Sequence, residues 1–250
     1  MGKDLRSWHD DNQARRRASR VLLISIGLTA ALYLIPFGFW VAYPLTLFST
    51  LVHELGHGLT ALATGGRFDE LSIYANASGV AHSASGAGDV GRALVAAGGL
   101  VGPAILAAIG FLASGRERGA RGFLMVLAVG LGVALAMFVR NPFGIVFTSL
   151  VVLTLGFVAV RGSEGVRQIA ADFLSVQLAL SVFSRGDYLF KESAETGAGV
   201  LPSDVANMAL ALGGPYWAWG LACGAFSVLV LWGGVSLFLR RITPRPISAA

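Results

Sequence analysis

Residues 47–66 read LFSTLVHELGHGLTALATGG. The run is apolar on both sides of His53, Glu54 and His57, and Gly65-Gly66 closes it as a glycine pair past a helix end does. It reads as an apolar helix over 45–63. His53 and His57 are four apart, which puts both imidazoles on one helix face, about one turn from each other and able to reach one metal ion. Glu54 stands beside the first of them. There it could take a proton from an attacking water and pass it to a leaving amine. Zinc suits two imidazole nitrogens, one further protein ligand and an open fourth position. Gly56 and Gly58 leave room beside the motif, for a neighbouring helix or a substrate backbone.

In a soluble protein this pattern would fix only three positions, and a polar cluster kept for packing would compete with a metal site. The rest of the chain changes the setting. Of 250 residues, 55% are hydrophobic and 13% charged, with a mean hydropathy of +0.69; a soluble domain carries about 25% charged residues. Long apolar runs alternate with short charged joints, the pattern of a multi-span helical membrane protein. An ionisable side chain at membrane depth costs roughly 2.5–3.5 kcal/mol and marks function by default. Three within five residues therefore favour a metal site over packing.

The charge excludes one class of partner. The net charge is +5 and the pI about 9.9, but the basic residues gather in clusters such as Arg15-Arg16-Arg17 and Arg240-Arg241. These flank apolar runs, as retained cytoplasmic or headgroup anchors do, so nucleic acid is not implied. The first apolar run starts at Val21, after basic sequence and without a small-residue cleavage site, which argues against a secretory signal peptide. The lone Cys223 cannot form an internal disulfide.

Organisation follows the apolar runs. A basic polar tail covers 1–20. A first span over 21–42 is broken by Tyr43-Pro44, and the motif helix follows. In RFDELSIYANASGVAHSASG apolar and polar residues alternate around turn material, so 67–91 reads as β-like. Further spans cover about 93–113, 122–139 and 144–160, the last two split by Arg140-Asn141-Pro142, then a weaker one about 168–184. A polar loop fills 185–203. Ser203-Asp204 looks like the N-cap of a short helix over 204–212. The last span, about 215–239, carries Tyr216, Trp217 and Trp219 as an interfacial belt at one end, and a basic tail covers 240–250. The expected fold is an all-α membrane protein: one bundle over 21–239 of six or seven transmembrane helices, with a small β-like segment after the metal-binding helix. Basic residues at both ends ask for two cytoplasmic termini. Seven full spans cannot satisfy both, so one span is re-entrant or 122–160 is not two complete crossings.

The stretch LVHELGHGLTALATGG resembles the metal-binding helix of the site-2 protease family of membrane zinc metallopeptidases, and in particular its small B-like branch. GGRFDELSIYANASGV is similar to the strand-like segment that follows in that branch, and RALVAAGGLVGP to the Gly-Pro span after it. Arg140-Asn141-Pro142-Phe143-Gly144 stands where the family often has Asn-Pro-Asp-Gly. Ser203-Asp204-Val205 and Gly214-Pro215-Tyr216-Trp217 resemble the entry to the last span. The resemblance covers most of 44–239. It implies a helical bundle with the metal inside, hydrolysis of a peptide bond in or near the bilayer, His53 and His57 as zinc ligands and Glu54 as acid/base.

The family's Asp in Asn-Pro-Asp-Gly completes the zinc site, and here that position is Phe143. Asp187, at the end of a span, leads the replacements as third ligand. Asp204 follows as an alternative, though it could simply belong to a helix start favoured by the macrodipole. His82, in the β-like segment, could fold back over the site. Asn141 is a weak zinc ligand, better suited to bonding a substrate carbonyl; its Asn-Pro step reads first as a helix break, yet broken helices at membrane depth line cavities. Asp172 reads as a span-start residue.

Two functions from different classes follow. One is a zinc peptidase of membrane-anchored protein substrates in the cell membrane, whose β-like segment could bind an extended substrate by adding a strand. The other is a non-catalytic member of the same fold, a membrane scaffold or chaperone. A transporter would spread polar residues along a path, whereas here they concentrate on one helix. Nothing points to haem, flavin or nucleotide.

Overall fold

The computed structural model describes residues 38–184 and 188–242, together with Arg20, Leu23, Ile24, Gly27 and Ala31. The expected span over 21–42 and both tails therefore lie largely outside the described residues. Within them stand seven α-helices: α1 (Gly38–Ala63), α2 (Gly88–Ser114), α3 (Glu117–Met137), α4 (Pro142–Arg161), α5 (Glu164–Ser184), α6 (Asp204–Leu212) and α7 (Tyr216–Ile242). Two antiparallel hairpins interrupt them, β1 (Arg67–Ile73) with β2 (Gly79–Ala84), and β3 (Ser193–Thr196) with β4 (Gly199–Pro202).

Among the described residues four helices are long and apolar enough to cross a membrane: Gly88–Ser114, Arg118–Met137, Pro142–Arg161 and Tyr216–Arg240. Helix α4 is apolar all round, and only Gly144, Thr148, Leu155 and Ala159 along it are buried. Val126, Val146, Leu153, Phe157, Leu229 and Trp232 are exposed on α3, α4 and α7. Large apolar side chains on the outside of a bundle are at home in lipid and not in water. The chain is an integral membrane protein by this composition.

Helix α2 is the hub, packing on α1, α3, α5, α6 and α7. Its contact with α1 is a backbone contact. A Cβ at Gly56 would collide with the Gly98 carbonyl, and one at Gly98 with the Thr60 hydroxyl. Small residues let membrane helices approach this closely. Gly58 faces the Phe68 ring, which also leaves no room for a Cβ. Both glycines of the motif thus make room for the protein itself.

Two expected boundaries move. Tyr43-Pro44 does not break the chain: α1 runs through Pro44. Proline removes one helical hydrogen bond, a loss membrane helices tolerate when neighbours re-satisfy the freed carbonyl. The α1 C-terminus follows the glycine signal, with Gly65 at φ 73° and Gly66 N–H donating to the Ala61 carbonyl at 2.9 Å. The loop expected over 185–203 contains a second hairpin. Its strands are four residues each and mostly exposed, too short to leave an alternating signature.

The β1–β2 hairpin runs back along α1 and is held on two sides. Tyr43 Oη donates to the Ala75 carbonyl at 2.6 Å and Thr50 Oγ1 to that of Ala77 at 2.8 Å. On the other side, Leu71 N–H donates to the Phe138 carbonyl at 2.8 Å and Arg140 N–H to that of Leu71 at 3.1 Å. Asn141 completes this edge: Ile73 N–H donates to its Oδ1 at 3.1 Å, and its Nδ2 donates to the Ile73 carbonyl at 2.6 Å. The Asn-Pro joint between α3 and α4 is therefore a mimic of a neighbouring strand. Leu71 and Ile73 pair with Ala81 and Gly79. Because Leu71 and Ile73 turn their backbone groups outward, Ala81 and Gly79 turn theirs outward on the opposite edge.

Candidate metal centre

Two elements bring three side chains to one point. Helix α1 brings His53 and His57, and the N-terminus of α6 brings Asp204. His53 Nε2 lies 3.2 Å from His57 Nε2 and 3.1 Å from Asp204 Oδ2; His57 Nε2 lies 3.3 Å from Asp204 Oδ1. The three residues are 8%, 9% and 7% exposed, and one ligand atom from each lies within 4.8 Å of the others, close enough that they could hold a metal ion.

The spacing is informative. Ligands about 2.0–2.1 Å from a tetrahedral zinc lie about 3.3–3.4 Å from one another. The imidazole pair is close to that spacing, and each imidazole meets a different oxygen of the Asp204 carboxylate at a similar distance, so the three side chains could share one ion. The donor set fits as well. His57 Nδ1 lies 2.8 Å from the Val95 carbonyl, which can only accept, so Nδ1 carries the proton and Nε2 keeps its lone pair for the cluster. Asp204 Oδ2 is buried without a hydrogen-bond donor. Lone pairs turned toward one point suit a cation.

Two of the three side chains are held from behind. A Cβ at Gly99 would collide with the His57 ring at Cε1 and Nε2, so α2 presses its backbone against that imidazole. Ser203 caps α6, accepting from Ala206 N–H at 3.2 Å and donating to the Lys191 carbonyl at 2.5 Å. Val205 and Met208 pack α6 on Ala93, Ala96, Leu100 and Cys223. Asp204 is thus both an acid in the first turn of α6 and a member of the cluster.

A cavity of about 510 Å³ opens over the cluster, lined by His53, Glu54, His57 and Asp204, by β2 from Gly79 to Ala84, and by Ala194, Thr196 and Leu201 of the second hairpin. Glu54 is 6% exposed. It lies against the start of β2, where a Cβ at Gly79 would stand 2.6 Å from its Cγ and 3.0 Å from its Oε1.

The other candidate ligands lie elsewhere. Asp187 lies outside the described residues. His82 is exposed, 3.7 Å from Glu70 across the hairpin, and outside the cluster. Asn141 is occupied by the Ile73 backbone. Phe143, at the position of the family's Asp, lines an apolar groove with Tyr43 and Leu47. Asp172 is buried in α5.

The model of one protein family, described as Peptidase M50B-like, matches residues 23–234. No curated protein and no solved structure matches the chain significantly.

Proposed function

The chain belongs to the Peptidase M50B-like family, the site-2 protease-like membrane metallopeptidases, and from that premise we propose that it is a zinc-dependent peptidase. Its substrates in this reading are membrane-anchored proteins, cut at a peptide bond in or near the bilayer of the cell membrane. The observation that carries the reading is the triangle of His53, His57 and Asp204 at the floor of a cavity that also holds Glu54.

His53, His57 and Asp204 would hold the zinc ion, and Asp204 replaces the acid that Phe143 lacks. When bound, zinc supplies Lewis acidity that activates water and polarises a peptide carbonyl. Glu54, beside the cluster and facing the cavity, takes the proton of the attacking water and gives it to the leaving amine. Val95 and Gly99 keep the His57 ring in the tautomer and orientation the site needs. The outer edge of β2, with the backbone groups of Gly79 and Ala81 turned to the cavity, binds the substrate as an added strand. Pairing there would keep the chain extended and its carbonyls within reach of Glu54. The four membrane-length helices, with α1, α5 and the run preceding α1, make up six or seven spans.

Glu54→Gln tests the reading. It should keep about one zinc per purified chain and the wild-type melting temperature while cleavage falls by about 10²–10⁴. Cleavage that persists in this variant would point to a contaminating peptidase or another base. A wild type that holds zinc and cleaves no anchored substrate would favour the scaffold.

A further inference from the structure

The two hairpins that wall the cavity over the metal centre touch each other at their tips. The cavity's two walls are the outer edge of β2 and the face of β3–β4 carrying Ala194, Thr196 and Leu201. At one end stand the half-buried Ser85 and the exposed Arg92. Arg92 belongs to the first turns of α2, so this end lies at the terminus of a membrane-length helix. At the other end, beyond Gly79 and Thr196, the hairpin tips meet. Gly197 N–H donates to Ser78 Oγ at 2.9 Å. The Ser78 hydroxyl donates to Asn76 Oδ1 at 2.7 Å, which leaves its lone pairs to Gly197. Gly197 also lies flat on Tyr74, and a Cβ there would collide with the ring.

This contact lies far along α1 from the Arg92 end. The β1–β2 tip is tied to α1 through Thr50 and Ala77. Thr50 stands thirteen residues before Ala63, the last residue of α1, about 20 Å down the helix at about 1.5 Å per residue. The tip itself is an unusual turn, with Ala77 at φ 63°, and α1 holds it in place. Among the described residues no hydrogen bond ties the partner tip to a helix, and its strands are mostly exposed.

We propose that Ser78, Gly197 and Tyr74 form a clasp that determines which substrates reach the metal centre. The proposal rests on the peptidase reading of the site. A loose chain end can enter from the Arg92 end with the tips joined. A chain whose bilayer segment continues from the far end can lie along β2 only when the tips part. The clasp therefore selects against anchored chains at rest and admits them when the second hairpin swings away from the first. One exposed hydrogen bond and one ring contact suit such a part, because each is worth only a few-fold to about tenfold in an equilibrium constant.

The test uses two probes in lipid nanodiscs. One is a flexible Ala/Ser/Val peptide carrying a benzophenone. The other is the same peptide fused to a single apolar transmembrane helix. Capture by photo-crosslinking is measured for the Glu54→Gln chain alone and combined with Ser78→Ala or Gly197→Ala. The first added change removes the acceptor; the second forces Gly197 off Tyr74. Both should raise capture of the fused probe about two- to tenfold relative to the free one, with zinc content unchanged. An unchanged or lowered ratio in Ser78→Ala would overturn the clasp even if Gly197→Ala fails to fold. If wild type captures probes but never cleaves them, the peptidase reading fails while the capture ratio still decides the clasp. No capture of either probe in any variant would sink both.

Discussion

Asp204 and Asp172 are both removed from solvent, 7% and 1% exposed, yet their surroundings differ in kind. Asp204 meets two imidazoles at 3.1 and 3.3 Å on the floor of a cavity of about 510 Å³. Asp172 sits in the closed interior of the bundle on α5. One turn before it, Gln168 donates to the Ser114 carbonyl at 3.3 Å. The Ser114 hydroxyl, which could have served Asp172, donates instead to the Phe111 carbonyl at 3.0 Å. Neither Asp172 oxygen accepts a hydrogen bond. Depth in an apolar bundle is thus common to both. Convergence of lone pairs on a space that substrate could enter belongs to Asp204.

The sharpest break of this comparison is metal content. Asp204→Ala, like His53→Ala or His57→Ala, should take bound zinc from about one per chain to a small fraction and abolish cleavage, because two remaining ligands cannot complete a tetrahedral site. Asp172→Ala should leave zinc at one per chain, whatever it does to stability. Zinc retained in Asp204→Ala but lost when Asp187 is changed would move the third ligand out of α6.

That choice shows where sequence reasoning stops. His53, Glu54 and His57 were readable because helical spacing is local: four residues make one turn, and one turn is the reach of a metal ion. Asp204 stands on a separate short helix, and the signal it carries, an acid after a serine N-cap, is accounted for by the helix start alone. Its second role exists only because Val205 and Met208 pack α6 against α2 and α7. The span pattern over α2, α3, α4 and α7 was similarly legible from apolar run length. Continuity through Pro44 and the four-residue strands of the second hairpin were not, since both depend on neighbours that no window of sequence contains. Asn141 is the clearest instance. Its Asn-Pro step read as a break, and so it is, but its amide also completes the edge of β1.

A smaller effect should come from behind the cluster. Gly99→Val places a branched side chain where the His57 ring lies. The ring must tilt, and zinc affinity should fall about 10- to 100-fold, the usual range for disturbed outer-shell support. Competition with a chelator would measure it. The matched change at Gly122, where a Cβ meets nothing within 4 Å, should leave affinity untouched. Equal losses at both positions would mean that the bundle, and not the ring, responds.

Smaller again is the effect at the β2 edge. Ala81→Pro removes an N–H that β1 does not use, so the hairpin should survive while KM for an extended substrate rises about two- to tenfold, the value of one hydrogen bond. Val80→Pro removes an N–H directed at Ser72, its partner on β1, and should disrupt the hairpin with loss of thermal stability. Similar KM values for Ala81→Pro and wild type would remove the added-strand account of substrate binding and leave the metal centre as it stands.

The smallest expected effect returns to Asp172. Asparagine has nearly the same shape as a carboxyl group and carries no charge. The Ser114 hydroxyl beside Asp172 can serve an amide oxygen as well as a carboxyl, and no charged group acts on it, so Asp172→Asn removes no ion pair. Turnover should stay within about twofold of wild type, and the melting temperature should hold or rise, because the amide spares the bundle the cost of burying an ionisable carboxyl. A large loss of turnover with zinc content intact would contradict the division drawn between the two aspartates. It would mean that the buried polar residues of α5 reach the chemistry through a route the static packing of α2 and α5 does not offer, and that the functional site extends well below its three ligands.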